Sequence, residues 1–114
     1  MFAGMTGMLS TADANALALK RRPEQGVVLG TWAPILEAPL EALEAMVSSL
    51  GAAVTAPYLA IHGIDPGDEY PGWLESLMPE SAVGFELWPD HGHYPHIVDP
   101  DRFVATVTEF WRSI

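Results

Sequence analysis

The chain's tightest folding constraint lies at residues 57–63, Pro-Tyr-Leu-Ala-Ile-His-Gly. Pro57 opens a continuous apolar run from Tyr58 to Ile61, and Gly63 closes it. Hydrophobicity without alternation suits a strand covered on both faces, as in a parallel sheet. A Gly- and Asp-rich loop follows, then a short amphipathic stretch carrying Trp73, Leu74, Leu77 and Met78 and stopped by Pro79. The segment 81–89 then alternates, with Val83, Phe85 and Leu87 on one face and Gly84 and Glu86 on the other, which suits a strand nearer a sheet edge. A last helix is marked by Asp99 as N-cap, Pro100 in its first turn, and a stripe of Phe103, Val104, Val107, Phe110, Trp111 and Ile114. The order from Pro57 is strand, helix, strand, helix. Such crossovers are right-handed and make their two strands parallel.

This topology places two loops together. Parallel strands share a direction, so the loops at 62–70 and 89–98 leave the sheet at the same edge, where open α/β proteins hold their sites. The first loop carries Asp65, Asp68 and Glu69, and the second carries His91, His93 and His96. A carboxylate and an imidazole from adjacent loops make the orienting half of a nucleophilic triad. The acid fixes the ring tautomer while the ring takes a proton from the nucleophile.

The residues before Pro57 are less periodic. Residues 1–26 mix Met, Gly, Ala and Thr with the basic cluster Lys20-Arg21-Arg22, which reads as solvated. They suit either a mobile arm or an adaptable wall around an apolar ligand. The apolar stretch 27–39 is short and interrupted by Gly30 and Pro34. A helix is expected from Pro39, with Leu40, Leu43, Met46, Val47 and Leu50 on its apolar stripe and Gly51 at its end.

Charge and composition remove several functions. Lys and Arg number 5 against 15 Asp and Glu, for a net charge of −10, which repels nucleic-acid phosphates. The chain has no cysteine, which excludes disulfides and thiolate metal sites and fits a reducing compartment. The N-terminus lacks the pattern of a secretory signal, and no apolar run is long enough to span a membrane. A cytoplasmic protein is the expectation.

The strings "PYLAIHGIDPGDEYPGWL" and "GHYPHIVDPDRFVATVTEFW" together resemble the C-terminal end of an α/β-hydrolase. The likeness covers about residues 50–114. It implies a partial α/β-hydrolase fold: the last two parallel strands and helices, preceded by a cap- or lid-like helical segment in residues 1–50. It further implies that His93, in the Gly92-His93 step, is the general base and that Asp65 is the acid. Pro66 occupies the position where the family often has its acid, so Asp68 is a rival. The family's nucleophile elbow, G-x-S-x-G, is missing. Ser49, in "VSSLG", lies within the expected helix and lacks the first glycine; Ser10 and Ser48 have no elbow either.

The resemblance therefore implies the C-terminal part of an esterase-like serine hydrolase, inactive alone, with an ester-like small molecule as substrate of the complete enzyme and no cofactor. A stand-alone binding module docking through its sheet edge is the alternative. Two parallel strands leave an unpaired edge, so a second copy or a missing N-terminal half is the expected partner. The spacing His91-x-His93-x-x-His96 also admits a metal reading. The restraint from Pro95, the lack of cysteine and the fit to the hydrolase pattern argue against it. His62 and His96 are expected to pack, and Trp32, Trp73, Trp88 and Trp111 to lie in the core.

Overall fold

A computed structural model describes residues 3–114. The chain is a mixed α/β structure with six α-helices and a two-stranded parallel sheet among the described residues. After a 3-10 turn at Ala3–Met5 come helices α1 (Thr11–Lys20), α2 (Gln25–Glu37) and α3 (Leu40–Ala52). Strand β1 (Tyr58–His62), α4 (Tyr70–Leu77), β2 (Val83–Leu87), the short α5 (Pro95–Val98) and α6 (Pro100–Ser113) complete it.

The strands pair in parallel as their apolar patterns predict. Tyr58 lies opposite Val83, Ala60 opposite Phe85 and His62 opposite Leu87. On that face Ala60 meets Leu74 and Met78, and Val83 and Phe85 pack around them. Side chains alternate along a strand, so Leu59, Ile61, Gly84 and Glu86 share the other face. Helix α6 lies over it: a Cβ on Gly84 would sit 3.8 Å from the Phe110 ring. The sheet thus has α4 on one face and α6 on the other, but Leu59 and Ile61 stay half-buried, so β1 is covered less completely than the unalternating run at 58–61 predicts.

The α6 start also follows its sequence signals. The Asp99 side chain accepts the Arg102 N–H at 3.1 Å, and Pro100 enters the first turn, where no backbone donor is needed.

The N-terminal half departs from its pattern in four ways. Residues 25–37 form one helix through both Gly30 and Pro34. Gly30's carbonyl loses the donor that Pro34 lacks, but this helix buries no residue, so water can replace the lost bond. Gly51 does not end α3. It is buried within the last turn, where a Cβ would run into the Leu77 side chain and carbonyl. The absent side chain lets α3 close on α4. The stripe of α3 is largely uncovered, with Leu40 and Leu50 more exposed than buried. Finally, residues 3–26 are not a featureless arm. Ser10 caps α1 by accepting the Asp13 N–H at 3.1 Å, and residues 5–8 bond to the second loop, as described below.

The tryptophans divide. Trp88 is 0% exposed, whereas Trp32, Trp73 and Trp111 are 53%, 47% and 74% exposed. The buried apolar set is small: Ala60, Leu74, Met78 and Trp88. The radius of gyration is 16.6 Å, against about 13 Å for a compact domain of this length. The core serves the sheet and α4, while α1 and α2 bury nothing.

Two glycine variants test this division. Gly51→Val should destabilise the chain by about 1–3 kcal/mol through overpacking against Leu77. Gly30 has nothing within 4 Å of a built Cβ. Gly30→Ala should leave the urea midpoint unchanged, because α2 is not coupled to the core. A large shift for Gly30→Ala would show that α2 is packed.

Candidate functional site

The parallel pairing brings the loops after β1 and β2 to one edge of the sheet, and a direct contact joins them. Trp88 N–H donates to the His62 carbonyl at 2.7 Å, and Gly92 N–H donates to the Gly63 carbonyl at 3.1 Å. Gly63 and Gly92 form an isolated antiparallel bridge. A Cβ on Gly63 would strike the Gly92 backbone. The bridge therefore depends on Gly63 lacking a side chain. It also fixes the turn 89–92, where Asp90 (φ 65°) and Gly92 (φ 63°) are left-handed. Asp and Gly are residue types that accept this conformation.

His93 follows this turn. It is exposed and sits between two cavities. One is a small cleft bounded by His62, Gly63, Ile64 and Gly92. The other is an open apolar groove of about 580 Å³, walled by Leu59 and Ile61 of β1 and by Phe103, Val107, Phe110 and Trp111 of α6. Asp65 borders a third cavity, which shares Gly63, Ile64 and Gly92 with the cleft. The two candidate residues therefore line different cavities, and both cavities border the glycine bridge. No hydrogen bond joins them among the described residues. Instead, Asp65 Oδ1 accepts the Gly67 N–H at 2.8 Å in a local turn. Asp68 is exposed in the turn leading into α4.

The other histidines are occupied elsewhere. His91 Nδ1 lies 2.8 Å from the Pro89 carbonyl oxygen, so the proton belongs on Nδ1, and its ring meets the Trp88 edge at 5.7 Å. His96 packs against Phe103 at 5.8 Å and Tyr94 at 6.4 Å. His62 packs against Tyr70 at 4.8 Å and Phe85 at 5.4 Å. Among the described residues no three His, Asp or Glu side chains are grouped to hold a metal ion.

Trp88 anchors the second loop from below. Its Nε1–H donates to Glu86 Oε2 at 2.6 Å, and the Arg102 guanidinium lies 4.2 Å above its ring. The cation–π contact joins the loop base to the first turn of α6.

Sequence reasoning missed the contribution of the N-terminus. Met8 N–H donates to the Asp90 carbonyl and His93 N–H donates to the Met5 carbonyl, both at 2.8 Å. Main-chain contacts of this kind leave no apolar period or capping motif to read. Gly7, with φ 51°, is their one local trace.

Comparison with known proteins finds no matching family model, no matching curated protein and no matching solved structure.

The Trp88 anchor is directly testable. Trp88→Phe loses the bond to Glu86 and part of the packing volume. It should destabilise the chain by about 1–3 kcal/mol, measured by urea unfolding. Trp111→Phe, at an exposed position, should change stability by less than about 0.5 kcal/mol.

Proposed function

We propose that this chain supplies the general base and the acid of an esterase-like serine hydrolase. The sheet would be the C-terminal end of an α/β-hydrolase sheet, with α1 and α2 as part of its cap. One observation carries the reading: the loops bearing Asp65 and His93 leave parallel strands at the same edge and are tied by the Gly63–Gly92 bridge.

In this reading a serine outside the chain stands beyond the free edge of β1. A His93 ring nitrogen takes the serine proton as the oxygen attacks the ester carbonyl, then returns it to the departing alcohol. Water, activated by the same nitrogen, hydrolyses the acyl-serine. Asp65 holds the tautomer and stabilises the imidazolium. Its Oδ1 is engaged by Gly67, and its Oδ2 takes no hydrogen bond among the described residues, which leaves that oxygen to turn toward His93. Catalytic hydrogen bonds often tighten only when the site is complete. Asp65 is favoured over Asp68 because it borders the bridge glycines.

The open edge favours a second reading, a docking module. Tyr58 N–H and the His62 carbonyl bond toward β2. By the alternation of a parallel ladder, Leu59 and Ile61 therefore turn their main-chain groups to the unpaired side. Their side chains wall the apolar groove. Added strands use such edges.

One experiment separates the readings. The chain alone should not hydrolyse a short-chain nitrophenyl ester. Mixed with a hydrolase N-terminal subunit carrying an elbow serine, it should. His93→Ala and Asp65→Asn should each lower that activity by at least about 100-fold, while Asp68→Asn changes it less than about threefold. Asp65→Asn keeps an oxygen for Gly67, so its thermal midpoint should match the parent's. Binding of the subunit without activity favours the docking module. Activity that survives His93→Ala overturns the hydrolase reading.

A further inference from the structure

We propose that residues 5–9 form a main-chain strap that positions His93 and links it to helix α1. The proposal rests on His93 being the base. The contacts that form the strap hold whatever His93 does.

Two hydrogen bonds bracket the turn. The Met5 carbonyl accepts the His93 N–H, and the Met8 N–H donates to the Asp90 carbonyl. Between them, Gly7 lies against the main chain of residues 90–92. A Cβ built on it would strike the Asp90 carbonyl and reach 2.6 Å from Gly92 N. From the other side, a Cβ on Gly92 would strike the Met5 carbonyl and come 2.9 Å from Gly7 N. Gly92 also donates to Gly63. The Gly92-His93 step is thus held on one flank by the first loop and on the other by the strap. Both peptide N–H groups of that step are fixed, leaving the imidazole its side-chain torsions alone.

The strap continues without a break into the cap. Leu9 N–H closes on the Thr6 carbonyl at 3.0 Å, and Ser10 is the N-cap of α1. Helix α1 has no buried residue, so its firmest connection to the sheet is through residues 5–8. Met5 acts through its carbonyl, and is a positioning residue.

The test combines amide hydrogen exchange, read by mass spectrometry on the full chain, with turnover in the complemented enzyme. In the parent chain the His93 amide should exchange slowly despite the exposure of its side chain. Gly7→Val should speed it by about tenfold or more. Gly4→Val should not, because nothing lies within 4 Å of its Cβ. Met5→Ala keeps the carbonyl and should also leave the rate unchanged. The urea midpoint reports whether each variant retains its core. Should Gly7→Val fail that check, Met8→Pro removes one donor without adding a Cβ at residue 7.

With the elbow-serine subunit added, Gly7→Val should lower kcat by up to about 100-fold with KM within about twofold. A fast-exchanging His93 amide in the parent chain, or equal exchange in Gly7→Val and the parent, overturns the strap. A protected amide in a complemented pair that never turns over keeps the strap and rejects the hydrolase reading.

Discussion

The parallel register that sets Ala60 against Phe85 is the constraint on which the rest of the structure depends. It builds the apolar face that Leu74 and Met78 cover. It sends both strands out at one edge, so that residues about 30 positions apart in sequence can meet at a glycine bridge. A slip of one residue would turn Leu59 and Ile61 toward α4 and Ala60 toward α6, exchanging the core for the groove. The apolar residues of each strand fit one register, and the candidate site inherits its geometry from that fit.

The C-terminal half was legible because its signals are local and periodic. The run Tyr58–Ile61, the alternation Val83–Leu87 and the Asp99-Pro100 start each report on a few neighbouring residues. The N-terminal half was not. Gly51 looks like a helix end because isolated sequence cannot show Leu77 arriving beside it. Pro34 looks like a break because the pattern does not say that Gly30's carbonyl is in water. Trp32 and Trp111 sit in apolar patterns that read as core, and both are exposed because few elements cover them. The placement of His93 in the loop was readable from the strand order. The bonds that fix its backbone were not, since main-chain pairing between residues 5–8 and 90–93 carries no side-chain signature.

The small core and wide apolar surface describe a chain whose sequence specifies more contacts than it makes internally. Leu59, Ile61, Val107 and Trp111 line a groove with no carboxylate in its wall, in a protein of net charge −10. Hydrophobic attraction there need not overcome local carboxylate repulsion. This is the side on which either proposed function needs a partner, so the catalytic and docking readings differ in what arrives, and not in where.

Three glycines from distant parts of the sequence, Gly7, Gly63 and Gly92, meet backbone to backbone at the site. Ordinary packing can absorb a larger residue when its neighbour becomes smaller. Here a smaller neighbour gives no relief, since the opposing atoms are main chain. A substitution at any one of them has no compensating partner at the other two. Relief of such a clash requires the main chain itself to move. The exposed helix α2, which touches no core residue, is free of that restriction and can vary independently of the site.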